Sequence, residues 1–304
     1  MFCYDINAQR HHPMFKNIRS FPVRLNMRVP KRSQPGVHQA SIPAQVEVGE
    51  GRHFVTALAR GLNVLSCFNT HDRVLGNQDI ALRCRLPKST VSRLTYTLTQ
   101  LGYLVRADAR GKYRLGPAMS SLGIAAALEH KDIRLSARPL MQELANGAKA
   151  MVALGTRSWL SMIHLEACRD ASSPSLMFDL SAGSRIPLAT TAMGRANLAA
   201  MDQHERESVF DDLAAFDTKA WPRLRRDIEL ALETARTLGC ACSFGDWRAD
   251  VNAIAVAFNP GHGIPLMVVG CGGPAAELTP DFLLDAVRPK LLTLGQRLQG
   301  LGNS

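Results

Sequence analysis

A run of side chains able to hydrogen-bond to a nucleic acid follows Pro87. Its members are Lys88, Ser89, Thr90, Ser92, Arg93 and Tyr96. A guanidinium can donate to O6 and N7 of guanine together, so Arg93 is the candidate for reading a base. Ammonium and hydroxyl groups suit phosphate or mixed contacts, which we expect of Lys88, Ser89 and Thr90. The run therefore predicts a surface that meets duplex DNA.

Apolar spacing places this run on a helix. Pro87 suits a first helical position, where its missing N–H costs nothing, and Gly102 marks the end of the helix. An inward stripe is predicted at Val91, Leu94, Leu98 and Leu101. The polar run then lies outside the stripe or beside it.

Two helices are predicted before this one. The first carries apolar residues at helical spacing, namely Val55, Leu58, Leu62, Leu65 and Phe68. The second covers 80–84, with Gly76 and Asn77 as candidate caps and Asp79 in its first turn. Three helices in this order place the polar run on the third.

A basic hairpin is predicted directly after the third helix. Residues 102–105 and 112–116 have strand character and are joined by a turn over 107–111. The hairpin presents Arg106, Arg110, Lys112 and Arg114. Three helices and a basic hairpin are typical of a winged helix-turn-helix, with the third helix in the major groove and the wing on the backbone or minor groove. The competing interpretation is a small helical module whose charges are merely solvated.

Positive charge is concentrated in the first third of the chain. The formal net charge of +10 divides into +5 for residues 1–52, +6 for 53–130 and −1 for 131–304. This asymmetry indicates that one part meets a polyanion. No run of 18 apolar residues occurs, so no membrane partner is expected. Scattered prolines without helical or alternating spacing predict a disordered basic arm over 1–52.

The cellular compartment is predicted from two further patterns. Residues 1–52 lack the apolar core of a signal peptide, so export is not indicated. The seven cysteines are scattered, with no C-x-x-C pair and no zinc-type spacing, and are expected to be reduced thiols that serve in packing. We expect a cytoplasmic protein.

The remainder of the chain has a mixed pattern that predicts a second domain. Helices are predicted over 119–129, 133–148, 191–201, 203–216, 223–238 and 281–298. Strands are predicted over 151–155, 159–165, 176–180, 240–244, 253–258 and 266–271. We therefore expect a DNA-binding domain over 53–116, a linker helix over 117–130 and a further domain over 131–304.

One helix opening in the second domain could bind an anion. Thr190, Thr191, Ala192 and Met193 combine two hydroxyls with backbone N–H groups that a helix leaves unpaired, an arrangement suited to a carboxylate. The alternative is that a threonine serves only as the N-cap. Both interpretations stay open at this stage.

Several segments resemble one known family. ALARGLNVLSCF, DIALRCRLPKSTVSRLTYTLTQLGYL and GKYRLGPAMSSLG are similar to the amino-terminal domain of the isocitrate lyase regulator (IclR) family. AGSRIPLATTAMGRANLAAM, VNAIAVAF and GCGGPAAELTP resemble its effector-binding domain, in the same order. The resemblance covers about residues 54–300.

The resemblance implies a sequence-specific transcriptional regulator with an α+β fold. A winged helix-turn-helix would be joined by a linker helix to a GAF-like or profilin-like effector domain built on an antiparallel sheet. Operator DNA, a small-molecule effector and further copies of the chain, as a homodimer or homotetramer, are the implied partners. One departure is Arg85, which stands where the family usually has glycine; a left-handed arginine there would cost on the order of 1 kcal/mol.

The resemblance also implies an effector pocket. In some members its polar groups come from the strand positions that correspond here to Ser243, Ala253, Gly270 and Gly272. Only Ser243 is polar in this chain, so the implied pocket is apolar and roomy, which favours an aromatic or hydrophobic acid. The glycines are equally consistent with a bulge or a close crossing of backbones.

No motif for catalysis occurs in the sequence. G-x-S-x-G, H-E-x-x-H and the Walker loop are all absent. His164 and His204 are isolated, while Asp246 and Asp250 could pair across a loop but are more simply exposed acids. Neither a cofactor nor enzymatic activity is expected. The alternatives left open are an enzyme on the carboxy-terminal half with a basic accessory domain, and a non-specific nucleic-acid-binding protein.

Overall fold

The computed structural model describes residues 55–69, 72–108, 111–129, 131–170, 180–261 and 263–301. The predicted basic arm lies outside these residues, as do Arg110 of the predicted wing and all of the predicted strand 176–180 except Leu180. Leu180 itself belongs to no strand. No helix within the described residues combines the length and the apolar character needed to cross a membrane.

The first region consists of three helices and a small antiparallel sheet. In chain order its elements are α1 Thr56–Ser66, β1 Leu75–Gly76, α2 Asn77–Cys84, α3 Lys88–Gln100, β2 Leu104–Arg106 and β3 Lys112–Leu115. The strand order is β1-β3-β2. The strand β1 was not predicted because two residues give no alternating pattern. It is defined by its pairing with β3, in which Leu75 lies opposite Tyr113.

Apolar side chains from every element of this region form one core. Its main members are Val64, Leu65, Phe68, Leu75, Ile80, Val91, Leu98, Leu104 and Tyr113. Each large side chain contributes about 1.5–3 kcal/mol when it is fully buried. This core holds α3 against α1 and α2 and fixes which side of α3 faces outward.

The buried side of α1 differs from the predicted stripe. Leu58 and Leu62 are 62% and 55% exposed, and Val55 is exposed as well, whereas Val64 and Leu65 are buried. The helix has apolar residues on two adjacent sides and can bury only the side that meets α2 and α3. Helical periodicity alone does not say which of the two sides that is.

The predicted stripe of α3 is also wrong at one end. Leu101 is 60% exposed because it follows the end of the helix, and Thr95 is fully buried instead. The Thr95 hydroxyl is hydrogen-bonded, 2.9 Å from the carbonyl oxygen of Val91 and 3.2 Å from Oδ1 of Asn77. A buried hydroxyl with partners costs little, which is why threonine is tolerated in this core.

The helix α3 begins one residue later than predicted. Pro87 has an extended backbone, with ψ of 142°, and occupies the N-cap position rather than the first helical one. Its carbonyl oxygen accepts a hydrogen bond from the N–H of Val91 at 3.1 Å. Proline therefore still starts the helix, through its fixed φ and its carbonyl.

Two helices follow the wing and lead to the second region. These are α4 Pro117–Glu129 and α5 Lys131–Ala148. The second region is built on a six-stranded sheet with the order β6-β5-β4-β9-β8-β7, in which every neighbouring pair is antiparallel. Its strands are β4 Met151–Ser158, β5 Ser161–Arg169, β6 Arg185–Pro187, β7 Ala241–Phe244, β8 Val251–Phe258 and β9 Met267–Pro274.

The remaining helices flank this sheet. They are α6 Ala192–Ala200, α7 Gln203–Phe216, α8 Trp221–Leu238, the short α9 Pro280–Phe282, a π-helical turn Leu283–Val287 and α10 Arg288–Leu298. Two details differ from prediction. Trp159 lies in the β4–β5 turn with φ of 53°, so β5 begins at Ser161. The strand β6 was not predicted, because it is only three residues long and ends in proline.

Each face of the sheet carries its own core. On one face, α5 and α10 pack against large residues such as Leu154 and Ile254. On the other face, α6 and α8 pack against small ones such as Ala153 and Ala255. Alternation along a strand sends neighbouring side chains to opposite faces. Small residues on the α6 face leave space there.

A β-bulge in β5 decides where two polar side chains point. Leu154 pairs with Glu166 and Gly155 with His164, so Leu165 is an extra residue in the ladder. Glu166 consequently faces α5, where it forms ion pairs with Arg138 at 2.7 Å and with Arg134 at 3.3 Å. His164 faces α6. A bulge commonly redirects a side chain in this way.

Candidate DNA-binding and ligand-binding sites

The outward side of α3 forms a continuous polar surface. An α-helix turns about 100° per residue, so Ser89, Arg93, Tyr96 and Gln100 lie within about 40° of the direction opposite the buried side. All four are exposed. We call them the α3 ridge. Gln100 was not among the predicted residues, although its spacing of seven from Arg93 puts it on the same line.

The other predicted α3 residues flank the ridge. Lys88 and Ser92 are exposed on one side of it, and Thr90 is half-buried on the other. Thr90 and Arg93 border a groove that α1 lines with Leu58 and Leu62. The six predicted residues thus share one half of the helix surface, with Arg93 near its middle.

The wing divides its basic residues between two faces. In the β2–β3 pairing Arg106 lies opposite Tyr113, and Val105 lies opposite Arg114. Opposite residues of an antiparallel pair point to the same face. Lys112 and Arg114 therefore share one exposed face, while Arg106 lies on the side of the buried Tyr113. Lys112 and Arg114 therefore form a common basic surface, to which Arg106 does not belong.

The basic groups of α3 and the wing are not neutralised by neighbouring acids. Within the described residues no ion pair involves Lys88, Arg93, Lys112 or Arg114, whereas Arg83 on α2 pairs with Asp72 at 2.9 Å. Unpaired cations on one side of a small domain attract phosphate groups.

The turn between α2 and α3 has the left-handed conformation. Arg85 has φ of 52° and ψ of 39°, so the arginine keeps the backbone shape that the resemblance associates with glycine. A side chain in this region carries the expected strain.

A cavity lies between the amino-terminal end of α6 and the sheet. Its enclosed volume is about 60 Å³, well below the ~300–1,000 Å³ typical of ligand pockets, so an aromatic acid fits only if wall side chains move. Of the eight predicted effector residues it is lined by Thr191, Ala192, Met193, Ser243, Ala253, Gly270 and Gly272. Thr190 is not part of the lining. We call this space the α6 cavity.

Two glycines allow close approach at the wall of the α6 cavity. A Cβ on Gly270 would lie 2.8 Å from Cγ of Met193, and one on Gly272 would lie 2.7 Å from Cβ of Ala253. The cavity wall on β9 is therefore bare backbone. The nearest neighbours are the side chains of Met193 and Ala253, and the ladders with β4 and β8 continue through both glycines without a bulge.

The opening of α6 differs from the predicted pair of hydroxyls. Thr191 is the N-cap: its Oγ1 accepts from the N–H of Gly194 at 3.2 Å and donates to the carbonyl oxygen of Pro187 at 2.6 Å. Thr190 contributes only its carbonyl, which accepts from the Ser243 hydroxyl at 2.8 Å. Both hydroxyls, Thr191 and Ser243, are therefore committed to the backbone. The anion-binding groups that remain are the N–H groups of Ala192 and Met193, for which a helix provides no internal acceptor.

His164 was considered only as an isolated histidine, yet it lines the α6 cavity. It is 1% exposed, and neither ring nitrogen has a hydrogen-bond partner within the described residues. Burial, with a smaller contribution from the Arg169 guanidinium, lowers the pKa of His164 to about 4. The imidazole is therefore neutral at physiological pH.

The loop after β7 holds the two acids considered for catalysis. Asp246 forms an ion pair with the buried Arg195 of α6 at 2.6 Å, and Asp250 pairs with Arg248 at 2.9 Å. The carboxylates go to separate arginines, so they do not form a catalytic pair. The Arg195–Asp246 contact instead ties this loop, which includes the cavity residue Trp247, to α6.

Neither histidine belongs to a metal or catalytic cluster. His204 is exposed on α7, away from the buried His164. Across the described residues, no group of three or more histidine, cysteine or acidic side chains is placed to hold a metal ion.

The fold and these surfaces define a class of protein, a regulator that combines a winged helix-turn-helix with a ligand-binding domain on an antiparallel sheet. The family model of the IclR helix-turn-helix domain matches residues 57–108. The model of the bacterial transcriptional regulator IclR carboxy-terminal domain matches residues 125–298. The chain belongs to the IclR family of transcriptional regulators, and the prediction of a regulator rather than an enzyme is confirmed.

Individual relatives agree with this assignment. The chain is 34% identical over 250 residues to the HTH-type transcriptional regulator TsaQ1/TsaQ2 of Comamonas testosteroni, covering 82% of this chain and 89% of the relative. It is 39% identical to the solved structure of an IclR family transcriptional regulator from Brucella abortus, with a TM-score of 0.69, covering 84% of this chain and 95% of that one.

A more distant solved structure shares the fold and contains a ligand. It is an IclR homolog from Microbacterium hydrocarbonoxydans complexed with 4-hydroxybenzoate. The identity is 22%, the TM-score is 0.61, and the match covers 82% of this chain and 100% of that one.

Proposed function

We propose that the α3 ridge and its flanks bind operator DNA, with Arg93 reading a base and the wing residues Lys112 and Arg114 holding the backbone. The observation that carries this proposal is the outward side of α3, where exposed hydrogen-bonding groups follow one line with no acid to neutralise Arg93. Lys88, Ser89, Thr90 and Ser92 would contact phosphate or sugar around it. Tyr96 would contact a base edge or the backbone. Arg110 is included among the proposed DNA contacts only because the sequence places it in the predicted turn of the wing.

The effector, on this proposal, is an aromatic or hydrophobic acid held in the α6 cavity. The free N–H groups of Ala192 and Met193, at the positive end of the helix dipole, would bind its carboxylate. Gly270, Gly272 and Ala253 leave the wall flat and apolar, which suits a ring or an alkyl chain. The 4-hydroxybenzoate in the distant relative supports an aromatic acid. Ser243 would shape the pocket through its bond to Thr190 rather than bind the ligand.

We further propose that the protein works as a homodimer or a dimer of dimers. Apolar side chains remain exposed along α1 and α4, namely Leu58, Leu62, Leu122, Ile124 and Leu128. A second copy that covers them would place two α3 helices on a palindromic site. Sedimentation of the full chain tests this, and a monomer at micromolar concentration contradicts it.

The two proposed sites would be coupled through the equilibrium between arrangements of the DNA-binding domains. An effector alters DNA binding only if it binds one arrangement better than the other. The division into residues 53–116 for DNA, 117–130 as linker and 131–304 for the effector provides the parts that such coupling needs.

Selective DNA binding is the deciding experiment. The full chain is titrated with duplexes from the region upstream of its own gene and with random duplex, across a salt series, with and without a panel of aromatic and aliphatic acids. We expect one duplex to bind at least a hundredfold more tightly than random DNA, and one acid to change that affinity. Equal binding to all duplexes at every salt concentration contradicts the sequence-specific proposal and favours non-specific nucleic-acid binding.

A further inference from the structure

His164 is a buried polar group whose hydrogen bonds are missing. Nearly all buried polar side chains in proteins have a partner, yet both ring nitrogens of His164 lack one within the described residues. The side chain is 1% exposed and lines the α6 cavity. The cavity is thus the place from which a partner would come.

The neutral imidazole offers one donor and one acceptor. With its pKa lowered to about 4, the ring carries one N–H and one bare nitrogen near neutral pH. A hydroxyl group can match either nitrogen because it both donates and accepts. A carboxylate offers only acceptors and would meet the N–H alone.

The side chain of Met193 lies between the opening of α6 and the strand next to His164. A Cβ on Gly155 would lie 3.0 Å from Cε of Met193, and Gly155 is paired with His164 on the adjacent strand. The Met193 side chain therefore extends from the opening of α6 to the strand position beside His164.

Among the other described side chains that line the cavity, none is free both to donate and to accept: the indole of Trp247 can only donate, and the Thr191 hydroxyl is bonded to the backbone. The cavity wall between α6 and β5 consists of Ala153, Ile186 and Met151, which are apolar. Ser243 lies on β7, four strands away from β5 in the sheet order, and its hydroxyl is already bonded to Thr190. A second polar group on a ligand therefore finds a match at His164.

We infer that His164 recognises a hydroxyl group at the end of the effector opposite its carboxylate, which makes hydroxylated aromatic acids the preferred ligand class. This inference rests on the proposed binding of a carboxylate at α6 and adds a specificity-determining residue to it. The carboxylate would provide affinity for acids in general, and His164 would select among them.

Matched ligands and matched variants test the inference. Calorimetry on the full chain compares 4-hydroxybenzoate with 4-methylbenzoate, whose methyl group has nearly the size of the hydroxyl but forms no hydrogen bond. We expect the wild type to bind the hydroxylated acid about tenfold more tightly, and His164→Leu to lose that preference while still binding 4-methylbenzoate. His164→Gln, which keeps a donor and an acceptor, should retain part of the preference. His204→Leu, at an exposed histidine, should match the wild type.

Three outcomes would overturn the inference. A wild type that binds both acids equally leaves the α6 carboxylate proposal intact but removes the role of His164. A preference for the hydroxylated acid that survives in His164→Leu also removes the role of His164 and leaves the carboxylate proposal intact. If no acid in the panel binds the wild type, the proposed carboxylate site fails together with the inference. The melting curve of each variant shows whether it is folded, and if His164→Leu is not, His164→Phe, which also has no hydrogen-bonding group, takes its place in the same comparison.

Discussion

The two proposed sites present their chemistry in opposite ways. On the α3 ridge the functional groups are long, exposed side chains such as Arg93, which have no partner among the described residues and do not support the fold. In the α6 cavity the walls include residues without side chains, Gly270 and Gly272, and one buried histidine. Substitutions on the ridge should therefore change binding alone, whereas substitutions around the cavity should change stability as well.

The largest effect is expected at Gly194, in the first turn of α6. A Cβ there would lie 1.8 Å from the carbonyl oxygen of Leu188 and 2.4 Å from its carbonyl carbon. Backbone atoms cannot rotate away, so Gly194→Ala must move the start of α6 away from the segment that follows β6. We expect a loss of about 3 kcal/mol or more of unfolding free energy, measured by thermal or urea unfolding of the full chain.

The matched control for Gly194 is another helical glycine. Gly123 in α4 has no atom within 4 Å of an added Cβ, so Gly123→Ala should stabilise that helix by up to about 1 kcal/mol. An unchanged melting temperature for Gly194→Ala would show that the opening of α6 does not depend on this close approach.

Acid should destabilise the protein through the cavity histidine. The pKa of His164 falls from 6.5 to about 4 on folding, so the unfolded chain takes up a proton in this range and the folded chain does not. The resulting stability is present above about pH 6.5 and is lost as the pH falls towards 4, by about 3 kcal/mol. Urea midpoints of the wild type at pH 7 and pH 4.5 measure this loss.

The comparison for this acid effect is His164→Leu, which cannot titrate. Its urea midpoint should depend less on pH than that of the wild type across the same interval. The same dependence in both proteins would mean that groups other than His164 set the acid sensitivity.

Local patterns sufficed for some of these features and failed for others. Helical spacing predicted α3 and the outward position of Arg93, because a helix repeats over a few residues. The helix opening predicted Thr191, Ala192 and Met193 at the cavity, and the resemblance added Ser243, Ala253, Gly270 and Gly272. His164 was missed because its direction depends on the bulge at Leu165, which exists only through pairing with β4. A shift of one residue in a strand reverses every following side chain, and one sequence does not reveal it.

The remaining errors have the same origin. Helical spacing could not show which apolar side of α1 meets α2 and α3, and Leu58 and Leu62, which follow that spacing, are exposed. Thr95 was not named in the predicted inward stripe, and its bond to Asn77 forms only once α2 has packed against α3. Tertiary contacts decide between local alternatives in each case.

An intermediate effect is expected on the ridge. Arg93→Ala should cost about 1–3 kcal/mol of binding to the preferred duplex and relax the preference at one base position. Its melting temperature should stay near that of the wild type, because the side chain is exposed. Binding isotherms against a set of single-base operator variants measure both effects.

Two further variants sharpen this test. Arg226→Ala, at an exposed arginine on α8, should leave DNA binding unchanged. Gln100→Ala, at the far end of the α3 ridge, should cost less than Arg93→Ala because recognition helices read bases mainly with their first turns. Equal losses on preferred and random DNA would show that Arg93 contacts phosphate instead of a base.

The smallest change in unfolding free energy is expected from removing backbone strain at two single residues, one in each region. Arg85 before α3 and Lys149 before β4 both have positive φ, of 52° and 50°, and both are exposed. Glycine removes a cost of ~1–2 kcal/mol for this conformation but adds ~0.5–1 kcal/mol of chain entropy to the unfolded state. Arg85→Gly and Lys149→Gly should each stabilise the protein by about 0.5–1 kcal/mol, measured by urea unfolding.

DNA binding then separates the two glycine variants. If the Arg85 side chain contacts phosphate beside α3, its removal lowers the slope of log affinity against log salt concentration by about 0.9, whereas Lys149→Gly leaves the slope unchanged. If both variants keep the wild-type slope, Arg85 serves only the turn. If Arg85→Gly is instead less stable than the wild type, contacts of the arginine side chain stabilise the turn by more than the backbone strain costs. Arginine at this position, where the family usually has glycine, would then be stabilising.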